Sequence, residues 1–468
     1  MPETIQQSNL NPDALIKLKQ SLNADQILTE TNDCWSYGYD NSKRQVLPDA
    51  VVFPTSHDQV VSIVEICNQY QIPLTARGRG TGTTGATVPL EGGVVLSTER
   101  MTAIKKMDPA NRYIVVEPGV LNQTVQDEAG QSGFFWPPDP TSAAFCTVGG
   151  NLAYNSAGPR AVKYGTPREN VFGLRAVTGK GESIRTGVYT TKGVVGYDLT
   201  RLIIGSEGTL AIITEATLKL TPLAEAKHTL QIIYKDIESA AQAVSAIMAQ
   251  PVIPCALEFI DGQAINMIRE YSEISLPTDA GALLMVEVDG SQSRLEDDAE
   301  AIKHAANNDG LVSCHTASTE KEIAALWATR KALSPALRNV APKKINEDVV
   351  VPVANIPELI RGLEDFSEKY TIPIVNFGHA GNGNIHVNLM YDPANKNQAE
   401  NVKACLDEVF SLVLKLDGTL SGEHGVGIEK RDYVAREIDP VTLNLMKRIK
   451  TEFDPNGILN TGKMFPLL

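Results

Sequence analysis

The run PLTARGRGTGTTGA, residues 73–86, is a glycine-rich loop, and its reading decides the first half of the chain. Gly78, Gly80, Gly82 and Gly85 let the backbone turn tightly and aim N–H groups at an anion. Arg77 and Arg79 add positive charge, and Thr81 and Thr83 add hydroxyls. Just upstream, Val60, Val61, Ile63, Val64, Ile66 and Cys67 recur at helical spacing and predict a helix from Asp58 to about Tyr70. Ser56 and Gln59 have the spacing of a capping box at its start. The loop is not the dinucleotide fingerprint, because its spacing differs and it does not open a helix rich in small residues. Nor is it a P-loop, since no Gly-Lys-Ser/Thr follows. Alone, it is a weak phosphate-binding signal.

Two further blocks strengthen it. PPDPTSAAFCTVGGNLAYNSAGPRAVKYGTPRENVFGL, residues 137–174, is dense in Gly, Pro, Asn and small side chains. IGSEGTLAIITEATLKL, residues 204–220, reads as a glycine-bounded turn followed by strand alternation.

The second half of the chain carries different chemistry. HAGNGNIHVN, residues 379–388, places His379 and His386 seven apart around Gly381 and Gly383, with Asn388 at its end. GEHGVG, residues 422–427, supplies Glu423 and His424. The chain has only 7 histidines, and three of them sit in these two motifs. A lone His in a glycine-rich turn is most often a solvated or hydrogen-bonded loop residue. Two such motifs close in sequence favour a site. Two neutral imidazoles and one carboxylate make a divalent metal site with open positions, and zinc, manganese, iron or cobalt would suit it. His424, beside the carboxylate, is then available to take a proton, the usual work of a catalytic histidine near neutral pH.

Together these motifs resemble, in order and over nearly the whole chain, the FAD-dependent D-2-hydroxyacid dehydrogenases of the vanillyl-alcohol oxidase / p-cresol methylhydroxylase superfamily. That group includes D-lactate dehydrogenase of the cytochrome type, the glycolate oxidase flavin subunit and D-2-hydroxyglutarate dehydrogenase. The C-terminal FDPNGILNTGKMF, residues 453–465, belongs to the same pattern. The resemblance implies an α+β fold. It comprises a two-subdomain FAD-binding domain of the p-cresol methylhydroxylase type (1–222), a ferredoxin-like α+β cap holding substrate (223–417), and a C-terminal helical segment (418–468) packing back on the flavin domain. It implies that the loop Arg77 to Gly85 holds the FAD pyrophosphate through its amides. Pro138, Asp139, Thr141, Thr147, Gly149, Gly150, Asn151, Asn155 and Gly158 should line the flavin and its ribityl chain. Glu207, Gly208 and Ile212 should close over the adenine side, and Asn460 should reach back to the flavin ring. Ala86 stands where a second glycine is usual. The first loop has no His or Cys for covalent attachment, so non-covalent FAD is expected.

The resemblance also implies roles in the cap. Arg330 matches a clamp for the substrate carboxylate, which a guanidinium can bind through two parallel hydrogen bonds. On sequence alone Arg330 would read as an exposed helix arginine. Ser334, one turn later, matches a hydroxyl near the substrate. In the D-2-hydroxyglutarate branch a Lys stands six residues before the proline that matches Pro352; here that position is Asn346, with Lys343 and Lys344 nearby. This tilts the expected substrate towards a D-2-hydroxy monocarboxylate such as D-lactate, with Lys343 or Lys344 as a cation that could answer a second carboxylate. D-2-hydroxyglutarate and glycolate are the alternatives. The metal, with zinc as first candidate, would rest on His379, His386 and Glu423. Electrons would leave to a cytochrome, a quinone or an electron-transfer flavoprotein.

Cap elements are also legible. Strands are predicted at residues 229–234, 256–260, 282–288 and 311–315, with helices at 237–249 and 295–307, the order of a ferredoxin-like unit. No internal repeat shows in the sequence.

Composition narrows the classes. At 468 residues the chain is long enough for at least two domains. A net charge of −14 without Lys/Arg runs argues against nucleic acid and anionic membrane as main partners. The 6 cysteines show no CxxC, as in a reduced cytoplasmic protein. The start, MPETIQQSNLNPD, has neither a basic region nor an apolar core and does not read as a signal peptide; no apolar run reaches membrane-span length. Peripheral membrane contact through an acceptor, and a homodimer, are both compatible. Rival classes are a metallohydrolase whose glycine loop binds a substrate phosphate, a silent flavoprotein subunit, and a flavin enzyme of lipid chemistry. The first predicts a colourless protein, and the second should lack the metal and base residues present here.

Overall fold

The computed structural model describes residues 10–269, 277–317 and 319–466. Residues 1–9, the start of the stretch read above for a signal peptide, lie outside them. The chain divides into two units. One holds residues up to Ala157, Gly165–Leu223 and Glu423 onward; the other holds Gly158–Tyr164 and Ala224–Gly422.

The first unit contains two main sheets. One has four strands in the order Ile27–Leu28, Ala50–Val52, Val94–Ser97, Leu74–Arg77, the last three parallel. Helix His57–Tyr70 makes the crossover from Ala50–Val52 to Leu74–Arg77, since parallel neighbours need a long connection. Its buried Val60, Ile63, Val64 and Cys67 join Leu74, Val94 and Leu96 in one core. Burial of each such aliphatic side chain contributes about 1.5–3 kcal/mol. Ser56 Oγ accepts from Gln59 N–H at 3.3 Å, but only this half of the expected capping box forms. The Gln59 carboxamide turns instead to Thr55 N–H at 2.8 Å and to Gln26, a partner distant in sequence. The helix stops at Gln71, which adopts a left-handed φ of 52°.

The C-terminal peptide runs beside the strand that feeds the glycine loop. Leu74 N–H donates to Ile458 O at 2.8 Å, and Asn460 N–H to Leu74 O at 3.0 Å. The second sheet is antiparallel, in the order Ile104–Asp108, Tyr113–Val116, Ala211–Lys219, Val171–Thr178, Ser183–Gly187. Its strand Ala211–Lys219 follows the Gly-Ser-Glu-Gly turn, as the alternation predicted.

The second unit is one seven-stranded antiparallel sheet. Its strands are β1 (Ala226–Tyr234), β2 (Ala256–Asp261), β3 (Ala282–Gly290), β4 (Leu311–Ala317), β5 (Lys343–Val350), β6 (Ile374–His379) and β7 (Asn384–Tyr391). Their spatial order is β4-β1-β3-β2-β6-β7-β5. Helices α1 (Ile237–Ala249), α2 (Leu295–Ala306), α4 (Ile356–Tyr370) and α5 (Lys396–Lys415) pack side by side as one layer, and α3 (Glu320–Ala336) packs on the short helix Gly262–Ile268. β1-α1-β2-β3-α2-β4 is the expected ferredoxin-like unit. β5-α4-β6-β7-α5 repeats it. Its fourth strand is reduced to one bridge, where Thr419 and Val350 exchange hydrogen bonds of 2.9 and 3.0 Å. The halves join through their second strands, β2 and β6. This duplication of fold leaves no trace in the sequence, because each half keeps only the apolar alternation that any half-buried strand requires.

Candidate functional site

Strand alternation assembles the second unit's polar residues on one face. Phe377 lies opposite His386, Val375 opposite Asn388, and Ile260 opposite Phe377. Across β7 and β5, His386 faces Asp348, Asn388 faces Asn346, and Met390 faces Lys344. Residues directly opposite share a face. His379, His386, Asn388, Asn346, Lys344 and Glu258 therefore point to the same side, and Lys343 to the other. The rings of His379 and His386 are 5.2 Å apart and nearly perpendicular, at 82°. A ring nitrogen of each lies within 4.8 Å of the other's. Both side chains are buried.

Helix α3 brings Arg330 to this face. Ile323, Leu326, Arg330 and Leu333 form its buried stripe, so the arginine occupies an apolar position of the helix. Thr319 and Glu322 close a capping box that fixes where the helix starts. Arg330 is 7% exposed, which excludes the solvated helix arginine. Its Nε donates to Glu258 Oε2 at 2.6 Å, and its guanidinium lies 5.0 Å over the Phe377 ring. The other oxygen, Glu258 Oε1, is 2.6 Å from His379 Nδ1. Burial pushes the Glu258 carboxyl up, but the charges and hydrogen bonds of His379 and Arg330 outweigh it and hold the group below the usual range. Asn346 Nδ2 donates to Asn388 Oδ1 at 2.6 Å, and Asn388 Nδ2 to Val375 O at 3.0 Å. Ser334, one turn beyond Arg330, is exposed, and so is Lys344. Asp348, fully buried, accepts from Ser421 Oγ at 3.0 Å and from Gly422 N–H at 2.9 Å, pinning the start of the GEHGVG motif.

The first unit contains a cavity of about 580 Å³, counting space open to solvent. It begins where strand Leu74–Arg77 ends, the carboxyl edge of parallel strands where ligands are bound. Of the residues expected to hold flavin, Arg77, Gly78, Gly149, Gly150, Glu207, Gly208, Ile212 and Asn460 line it. Gly80, Thr81, Gly82, Thr83, Gly85, Pro138, Asp139, Thr141, Thr147, Asn151 and Asn155 do not line it, and Gly158 belongs to the second unit. Thr147 packs on Gly78, where a Cβ would come 2.4 Å from its Oγ1, and Thr147 also caps the short helix Val148–Tyr154. Ser206 Oγ and Asn460 Oδ1, both of cleft-lining residues, are buried without a hydrogen-bond partner among the described residues. Unmatched buried polar atoms around a glycine-walled cleft fit a ligand rich in donors and acceptors, as FAD is.

Arg77 is not a loose cation in that cleft. Its Nη1 donates to Tyr39 O at 2.6 Å and to Thr87 Oγ1 at 3.4 Å, and its Nη2 to Ser36 O at 3.4 Å. It ties residues 36–40 to the glycine loop. Arg79 is exposed.

The glycine loop and the GEHGVG motif meet within this unit. Ile428 N–H donates to Thr84 O at 2.8 Å, and Thr84 Oγ1 to His424 O at 3.2 Å. The Glu207 carboxylate accepts from Val426 N–H at 2.6 Å and Gly427 N–H at 2.7 Å, so its work includes holding this loop. Glu423 Oε2 accepts from Ala157 N–H at 3.3 Å, and its carbonyl from Ser156 Oγ at 3.0 Å. Gly425, with φ of 80°, is required here: a Cβ would strike Tyr154 and Glu207.

Lys463 is buried beside the same cleft residues, with Nζ 3.3 Å from Thr75 Oγ1. Burial pulls its pKa from 10.5 down to about 7, against the opposing pull of Asp40 and Glu207. Between pH 7 and 10.5 the unfolded chain therefore binds one more proton than the folded one. Stability rises with pH across that window, by up to ~1.4 kcal/mol per unit. Below it, both states are protonated and the cost of the buried charge is constant and full. Lys463→Met should raise Tm most below pH 7, with the gain fading towards pH 10.5. Thermal melts across pH check this; a gain that does not change with pH would remove charge burial as its cause.

Glu258, Asp348, Tyr154 and Ser206 escaped the sequence reading. The first two had a signal: an acidic residue inside an apolar strand run, ALEFID and INEDVVV, is rarely buried without a partner.

Known proteins share this architecture. The description "FAD binding domain" matches residues 48–187, and "FAD linked oxidases, C-terminal domain" matches residues 223–464. The chain is 42% identical over 430 residues to the glycolate oxidase subunit GlcD of Bacillus subtilis, covering 92% of each. It is 36% identical over 438 residues to a D-lactate dehydrogenase of Archaeoglobus fulgidus, covering 92% of this chain and 95% of that one. Among solved structures, substrate-bound p-cresol methylhydroxylase superposes with a TM-score of 0.78 at 19% identity, covering 97% of this chain and 96% of that one, a likeness of fold. With both halves of the chain matched and the relatives covered almost end to end, the chain belongs to the FAD-linked oxidases, as a flavin-dependent oxidoreductase of the p-cresol methylhydroxylase fold.

Proposed function

We propose that the chain oxidises a D-2-hydroxy monocarboxylate, with D-lactate as the first candidate, to the 2-oxo acid. The observation that carries this is the buried Arg330, held by Glu258 on the sheet face that also bears His379 and His386. A planar cation for a carboxylate, beside nitrogen donors for a metal, suits a carboxylate with an adjacent hydroxyl. The two relatives described above are named for glycolate and D-lactate, both 2-hydroxy monocarboxylates.

The residues divide the work as follows. Arg330 uses Nε on Glu258, and its Nη pair takes the substrate carboxylate. Asn388, fixed by Val375 O and Asn346, presents its amide beside His386. His379, His386 and Glu423 are the ligands of a divalent metal, zinc first; the ion supplies Lewis acidity to the substrate hydroxyl when bound. Gly422 is pinned to Asp348 in the second unit, and Glu423 is the next residue. His424 takes the hydroxyl proton. FAD, held without a covalent bond by the first unit's cleft, supplies the hydride acceptor when bound. Electrons then pass to a protein or quinone acceptor.

Substrate range follows from β5. Asn346 holds Asn388 and offers no charge for a distal carboxylate, while Lys344 shares its face and Lys343 does not. A charge-assisted hydrogen bond to that carboxylate is worth about 1.5–3 kcal/mol, one to two powers of ten in specificity. The purified protein should be yellow, and acid precipitation should release the colour into the supernatant. D-lactate should bleach the flavin band anaerobically and should exceed D-2-hydroxyglutarate in kcat/KM. Asn346→Lys should narrow that ratio by about 10–100-fold. A flavin that no 2-hydroxy acid bleaches defeats the reading. If the wild type prefers D-2-hydroxyglutarate and Lys344→Ala reverses the order, the Asn346 argument fails and Lys344 does the recognition.

A further inference from the structure

Glu258 lies in the middle of β2, is 1% exposed, and has both oxygens engaged at 2.6 Å. One faces the Nε–H of Arg330 and the other the Nδ1 of His379. A buried ionised carboxylate only accepts hydrogen bonds. The proton between Glu258 and His379 therefore sits on the histidine, at Nδ1. That choice of tautomer leaves the lone pair at Nε2, the nitrogen on the far side of the ring. The His379 ring stands nearly perpendicular to that of His386, with centroids 5.2 Å apart, and Phe377 lies 5.8 Å from His386. Phe377 also lies under the Arg330 guanidinium, at 5.0 Å. One carboxylate thus engages two side chains that arrive from different elements, β6 and α3.

We propose that Glu258 is the positioning residue of this site: it fixes the Nδ1–H tautomer of His379, so that Nε2 is the metal donor, and it aims the Nη pair of Arg330 at the substrate carboxylate. The proposal rests on the functional reading above and deepens it. Its physical content is that one carboxylate does what a carboxamide cannot. A carboxylate accepts on both oxygens. In Glu258→Gln one position becomes an NH2 donor. Arg330 can only donate, so it claims the remaining oxygen. The NH2 then faces His379 Nδ1 and draws the lone pair to that atom, moving the proton to Nε2. The ring's donor for the metal is lost, although the side chain is nearly unchanged in shape.

The test begins with the wild type, so that the reading and the proposal fail separately. Purified holoenzyme is loaded with zinc and examined for binding and for flavin reduction by D-lactate. If it binds no zinc or reduces with no 2-hydroxy acid, the functional reading itself is wrong. If it does both, Glu258→Gln is measured for zinc affinity, flavin content, KM and kcat. The expected result is a 10–100-fold loss of zinc affinity, the usual worth of a group that orients a metal-binding histidine. Flavin content should be unchanged, and at saturating zinc kcat should recover more than KM does. Glu258→Asp, which keeps both acceptor oxygens, should retain zinc better than Glu258→Gln. Equal zinc affinity and equal KM in Glu258→Gln and wild type would overturn the proposal. A measurement on the unmutated protein guards against a variant that fails to fold. In ¹⁵N-histidine spectra of the zinc-loaded enzyme, the resonance that disappears in His379→Ala should report Nδ1–H with zinc at Nε2. Zinc at Nδ1 would overturn the proposal independently of any Glu258 variant.

Discussion

Stripping the divalent metal should abolish oxidation of the 2-hydroxy acid and leave the flavin spectrum intact. The two imidazole donors stand on β6 and β7 of the second unit, whereas the glycine-walled cleft is built entirely from residues of the first. Chelator dialysis followed by metal analysis and an activity assay checks the expectation, and adding the metal back should restore turnover. Full activity after verified removal would sink the metal role. Among the ligand variants, His386→Ala is the cleaner probe. His386 sits in the middle of a strand whose backbone ladder survives truncation, so its loss should mimic the metal-free enzyme. The Glu423 side chain also accepts from Ala157 N–H. Glu423→Ala should therefore loosen its own loop as well as the metal, and its flavin content should be measured beside its activity.

His424→Ala should keep its metal and flavin but lose about 10²–10⁴-fold in the rate of flavin reduction, the usual worth of a positioned general base. The loop makes this substitution a fair test. Its shape is held by backbone contacts: Thr84 donates to the His424 carbonyl, Ile428 N–H reaches Thr84 O, and the Glu207 carboxylate binds the amides of Val426 and Gly427. None of these uses the imidazole. The rule that neighbouring side chains point to opposite faces holds only in extended strands, and residues 421–425 are irregular. Metal analysis of the variant therefore decides between base and ligand. Metal lost together with the imidazole would make His424 a ligand, and another group would have to take the proton.

The amino-acid sequence by itself determined the local elements. Helix His57–Tyr70 follows from its 3.6-residue apolar period and the Ser56 cap, and the strands and helices of the first ferredoxin-like half fall within a few residues of their predicted bounds. Periodicity is local, so it survives in the sequence. The glycine loop and the His379/His386 pair were legible for the same reason: each motif is a single short run. Tertiary structure alone decided what lies far apart along the chain. It joined Thr84 to His424, residues 340 apart. It turned Gln59 from its own helix cap towards Gln26, and it spent Arg77 on the carbonyls of Ser36 and Tyr39. It doubled the ferredoxin-like unit through β2 and β6, and it placed Glu258 between His379 and Arg330. A hydrogen bond between distant residues imposes no period on either segment. A charge inside a strand shows that it must be paired, but only the closed sheet shows with what.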